Sequence, residues 1–131
     1  MPMEGANIAL PPKESLMIRR IESGARMSQA VVANGFCFLA GQVADDTSVG
    51  VREQTIQVLA SIDRLLAAIG SDKSQIVSAN VYLSDISTFA EMNAAWDAWV
   101  AKDAKPARAT VEAKLAAPEY KVEIQVVALA D

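Results

Sequence analysis

No histidine occurs anywhere in this 131-residue chain, and that absence removes more chemistry than any other feature. Without imidazole there is no Ser-His or Cys-His nucleophile pair, no histidine general acid–base step and scarcely any route to a zinc site. The single cysteine, Cys37, has no partner for a disulfide within the chain. No neighbour in sequence would activate it, so it is expected as a packed strand residue. Aromatic residues make up only 5% against 52% hydrophobic, so the core must come from Ala, Val, Ile and Leu. No apolar run approaches the roughly 20 residues of a membrane span. Prolines follow Leu10 where a secretory segment would need an apolar stretch, so a soluble cytoplasmic protein is expected. The net charge is −4, and Lys and Arg are scattered without interleaved aromatics, which argues against nucleic acid as the main partner.

What is present suits one hydrophobic core. Residues 1–16 carry Pro2, Pro11 and Pro12 without periodicity and read as an arm, leaving 17–131 as a single domain. A first strand is expected over Met17 to Ile21. Gln29 to Ala33 and Phe36 to Ala40 flank Asn34-Gly35, a hairpin signal. Val58, Leu59, Ile62, Leu65, Leu66 and Ile69 form one helical stripe, so a helix is expected from Val51 to Ile69, ended by Gly70. Ile76 to Leu83 reads as a strand, with Val77, Ala79, Val81 and Leu83 on its apolar side. Thr88 to Ala101 reads as a second helix, with Trp96 and Trp99 placed in the core rather than on a stacking platform.

Pro106 to Glu112 and Lys121 to Val126 both alternate as strands do, joined by a loop over Leu115 to Tyr120. They are read as a hairpin with Arg108 roughly opposite Glu123 on its polar face, beside Thr110 and Gln125. On spacing alone this is a cross-strand ion pair on a solvated sheet. The order of elements gives an α+β fold with two helices packed on one face of a sheet. The other face would present Tyr82, Arg108, Thr110, Glu123, Gln125, Val127 and Leu129. Half apolar, it is expected to be a subunit interface.

Several motifs in order carry a family resemblance. Ala40-Gly41-Gln42, Asn80 to Asp85, Phe89 to Asn93, Pro106-Ala107-Arg108 and Lys121 to Ile124 resemble the Rid, or YjgF, family, also called L-PSP endoribonucleases. Asp97 to Val100 adds a likeness to its YoaB-like branch. The resemblance implies a chorismate-mutase-like two-layer domain on a mixed sheet, forming homotrimers with clefts between subunits. It implies hydrolysis of 2-imino acids to 2-keto acids and ammonia with no metal or organic cofactor. By the same resemblance Arg108 holds the substrate carboxylate, Glu123 positions or activates water, and Asn93 and Gly41 lie near the cleft. Three positions depart from the pattern: Met27 stands for an aromatic of the cleft wall, Ala40 for a serine and Thr110 for a cysteine.

The chemistry is plausible without histidine. A protonated imine is already electrophilic, so an enzyme need supply only orientation and a placed water. Arginine grips a carboxylate bidentately and fixes the plane of the adjacent C=N bond. A carboxylate can take the proton of the attacking water. The alternatives are a non-catalytic trimer that binds a small carboxylate, and an endoribonuclease or translation inhibitor.

Overall fold

The structure, a computed structural model, describes residues 17–130, so the expected arm over 1–16 lies outside the described residues. Strands β1 (Arg19–Ser23), β2 (Ser28–Ala33) and β3 (Phe36–Leu39) come first. Helix α1 (Val51–Ala68), strand β4 (Ile76–Leu83), helix α2 (Phe89–Trp99) and strands β5 (Ala107–Glu112) and β6 (Val122–Leu129) follow. The six strands form one sheet in the order β1-β2-β3-β6-β4-β5. Pairing is parallel between β4 and β5 and antiparallel elsewhere, so the sheet is mixed. No helix among the described residues is long and apolar enough to cross a membrane.

Local chemistry accounts for most boundaries. Asn34 (φ 53°) and Gly35 (φ 82°) both take left-handed conformations, as a two-residue turn between twisted strands requires. Helix α1 ends where Gly70 turns to φ 78°, with Ser71 N–H donating to Leu66 O at 2.9 Å. Short 3₁₀ turns precede β4 and α2, and Asp72 and Asp85 cap them by accepting from the Ser74 and Ser87 N–H groups.

The core lies between the helices and one sheet face. Val58, Leu59, Ile62, Leu65 and Leu66 of α1 meet Val122, Ile124, Val126 and Ala128 of β6, all essentially without solvent contact. Each larger side chain buried this way contributes about 1.5–3 kcal/mol. The buried amide of Gln54 donates to the carbonyls of Thr47, Val49 and Glu119 and accepts from the Lys121 N–H. It thereby ties the start of α1 to the loop between β5 and β6.

Three expectations are corrected. β5 and β6 do not form a hairpin, because β4 lies between them. Arg108 is level with Ala79 of β4, and Thr110 with Val81, both core residues. Level residues of neighbouring strands point to the same side, so Arg108 and Thr110 belong to the helix-covered side of the sheet. Val77, expected in the core, is 42% exposed because the register with β6 shifts between Ile76 and Ser78.

Cys37 is the packed strand residue that its sequence context suggests, with no solvent contact. Burial pushes its thiol from an ordinary 9.0 up to about 11, opposed by the charge of Arg19. The folded state therefore favours the neutral thiol. The linked stability is complete below pH 9 and is lost as pH rises toward 11. In urea titrations across that window, wild-type protein should lose more stability with rising pH than Cys37→Ala; parallel pH profiles would refute the shift.

Candidate functional site

The charged side chains singled out from the sequence fall into two clusters on opposite faces of the sheet. The first surrounds Arg108 on edge strand β5. Its guanidinium carbon lies 5.0 Å from the ring centroid of Trp96 and 5.8 Å from that of Phe89. Nη1 makes a long contact, 4.0 Å, with Met92 Sδ. Phe89, Met92 and Trp96 recur at helical spacing, so one stripe of α2 forms the whole cradle. Asn93 follows Phe89 by one turn, on the same side of the helix. Burial works against the charge of Arg108 and nearby Asp97 supports it. Among the described residues the ion pairs are Arg52–Glu53 and Arg64–Glu22, and Arg108 has no carboxylate partner. Two residues along the same face, Thr110 Oγ1 is buried without a hydrogen-bond partner.

The second cluster surrounds Glu123 on the bare face, level with Tyr82. Its carboxylate lies directly against Gly41: a Cβ built there would sit 2.0 Å from Oε2 and 2.8 Å from Cδ. Gly41 has no positive φ, so the close approach is what requires glycine. The peptide beside it is stitched to β6 by Gln42 N–H to Ile124 O (2.9 Å) and Ile124 N–H to Gln42 O (3.1 Å). Side-chain amides hold the preceding turn. Gln42 Nε2 donates to Ala40 O and to Gln29 Oε1. Gln125 Nε2 donates to Leu39 O while its Oε1 accepts from Asn80.

Two cavities adjoin this cluster. One, about 340 Å³, is lined by Tyr82, Glu123, Gln125 and residues 113–116. The other, about 370 Å³, brings Met27 and Gln29 to Gly41, with the Glu22–Arg64 ion pair on its wall. A larger hollow of about 460 Å³, on the same 113–118 loop, contains none of the residues singled out from the sequence.

The structure thus brings Gly41 against Glu123, with Ala40 beside it and Met27 reaching Gly41 through a separate cavity, and puts Arg108, Thr110 and the α2 stripe bearing Asn93 on the helix-covered side. It does not pair Arg108 with Glu123. Their strands lie two spacings apart, about 10 Å, with Glu123 three residues out of level with Arg108 and on the other face of the sheet. The cross-strand ion pair is therefore ruled out within one chain. The aromatic cradle was missed, although Trp96 is buried as expected. The signal was available, since Phe89, Met92 and Trp96 share one stripe, but it does not reveal which strand lies beneath.

Two helices on one face of a mixed sheet, with the other face bare, define an α+β protein of the YjgF fold. The family model described as Endoribonuclease L-PSP matches residues 17–130, and the chain belongs to that family, whose members also carry the names RutC and YjgF. A RutC family protein of Haemophilus ducreyi is 47% identical over 112 residues, covering 86% of this chain and 96% of its own. The RutC family protein YoaB of Escherichia coli is 44% identical over 113 residues, covering 86% and 98%. A solved YjgF-family structure from Neisseria meningitidis superposes with a TM-score of 0.87 at 49% identity, over 89% of this chain and 98% of that one. The family resemblance read from the motifs, including its YoaB-like character, is borne out.

Gly41→Ala gives a sharp test of the second cluster. The new methyl would collide with the swinging end of Glu123 rather than with backbone. The variant should lose about 1 kcal/mol or less, while its crystal structure shows the carboxylate displaced from the 40–42 turn. An unmoved Glu123 would contradict the contact.

Proposed function

We propose that this protein hydrolyses reactive 2-imino acids to 2-keto acids and ammonia, without metal or organic cofactor, as a homotrimer with sites between subunits. The observation that carries this reading is Arg108: a partly buried guanidinium with no carboxylate partner among the described residues, beside the orphaned hydroxyl of Thr110. A buried charge and a buried hydroxyl without partners are costly. A small carboxylate bound at Arg108 would satisfy the charge, and a turn of the Thr110 side chain about χ1 would bring its hydroxyl to the same ligand.

The opposite-face arrangement supports a shared site. A substrate touching Arg108 and Glu123 needs Arg108 of one protomer and Glu123 of its neighbour. The bare face is suited to association, with Phe36, Phe38, Val111 and Leu129 each 38–47% exposed. An edge-to-face contact of this kind joins unlike surfaces, and such contacts close into a ring when each step turns by an even fraction of a circle, a third of a turn for a trimer.

In the reaction, Arg108 would hold the carboxylate of the protonated imine through two parallel N–H···O bonds, fixing the C=N plane. Water adds to the imine carbon as Glu123 accepts one of its protons, giving a carbinolamine. Glu123 returns that proton to the nitrogen. The carbon–nitrogen bond then breaks as Glu123 takes the hydroxyl proton; the oxygen becomes the keto oxygen, and nitrogen leaves as ammonia, which picks up that proton from Glu123 and departs as ammonium. Thr110 would add a hydrogen bond to the carboxylate. Met27, 55% exposed beside Gly41, would form a pliable wall toward the substrate side chain.

Imines generated in situ by an amino-acid oxidase provide the assay. Arg108→Ala should raise KM strongly, and Arg108→Lys should recover little. Glu123→Gln should keep 2-keto acid affinity but lose ~10²-fold in kcat. Arg108→Ala and Glu123→Gln proteins, unfolded and refolded together in equal amounts, should regain about a quarter of wild-type activity, the random share of interfaces with both native residues. No recovery on mixing would exclude the shared site, and full activity in Glu123→Gln would end the catalytic assignment.

A further inference from the structure

We infer that Trp96 is a positioning residue for Arg108, anchored by a tilted pair of indoles that runs back to α1. The inference rests on the deaminase reading, since it concerns how the carboxylate-binding arginine is held. Arg108 stands on an edge strand, paired on one side only, where a long side chain gives up much rotamer freedom on being fixed. A carboxylate partner could hold it but would occupy the N–H groups that the ligand needs. An aromatic face stabilises the same charge through its π electrons and leaves the donors in the guanidinium plane unspent.

Trp96 is equipped for this. It is 7% exposed, and its ring lies 5.5 Å from that of Trp99 at an interplanar angle of 55°. Trp99 is fixed in turn: Nε1–H donates to Asp63 Oδ2 at 2.9 Å, and Lys73 Nζ lies 5.3 Å from its ring centroid. The pair of indoles therefore stands between two cations, Lys73 on the outside and Arg108 on the ligand side. Phe89, 40% exposed, completes the cradle from two helical turns before Trp96 and closes it toward solvent.

The chain has two tryptophans, so these rings supply all of its indole fluorescence. In Trp99→Phe, which leaves Trp96 alone, pyruvate should change the emission saturably, and adding Arg108→Ala should abolish that response. Trp96→Leu should raise KM for the imino acid and Kd for pyruvate by roughly 3- to 30-fold, with a smaller loss in kcat, and Trp96→Phe should recover most of the loss. Phe89→Leu, on the exposed side, should shift KM in the same direction without touching the core. Folded Trp96→Leu with wild-type KM and Kd would overturn the inference alone. If Trp96→Leu does not fold, Trp96 emission indifferent to pyruvate in the Trp99→Phe protein would overturn it instead. Wild-type protein that neither turns over imino acids nor binds pyruvate would overturn the deaminase reading, and the positioning role with it.

Discussion

Because β4 hydrogen-bonds to β5 on one side and to β6 on the other, its pleat decides to which face Arg108 and Glu123 point. A parallel neighbour requires a crossover, and α2 is that crossover, leaving the end of β4 and returning to β5. The helix consequently lies over the two strands it joins. Residues level with Ala79 and Val81 meet it, and residues level with Tyr82 do not. Arg108 falls into the first set and Glu123 into the second. The placing of Arg108 and Glu123 on opposite faces and the aromatic cradle both descend from this strand order.

The two clusters manage their charges by different means. Arg108 is partly desolvated, and a buried charge left without compensation is expensive. Aromatic faces and a polarizable thioether supply that compensation while leaving its hydrogen-bond donors open. Glu123 stays at a bare surface and is controlled by shape instead. The missing side chain of Gly41 lets its carboxylate lie on the backbone, and amide side chains hold that backbone still. Glutamine and asparagine do here much of the pinning that histidine often does elsewhere, since each offers a donor and an acceptor without titrating. The buried Gln54 extends the same device to the loop between β5 and β6.

Much of the architecture was legible from local signals. Helical spacing located α1 and α2 to within a residue or two, Asn34-Gly35 marked its turn, and alternation along β6 separated Val122, Ile124 and Val126 from Glu123 and Gln125. The motifs around Arg108 and Glu123 pointed to the family. The hairpin between β5 and β6 was misread because adjacency in sequence suggests adjacency in a sheet, and no local feature announces an intervening strand. Only with β4 between them do Arg108 and Glu123 fall on opposite faces.

By itself, then, the sequence determined which residues are apolar at which period, where the backbone must take left-handed turns, and which side chains could carry chemistry. These are properties of short segments and need no partner. Only the tertiary structure decided strand order, and with it the side of the sheet for each residue of β5. That strand alternates small apolar residues with Arg108, Thr110 and Glu112, so either face could pass for the inner one. The decision comes from long-range hydrogen bonds to β4 and from the α2 stripe above it, which accepts the stem and charge of Arg108.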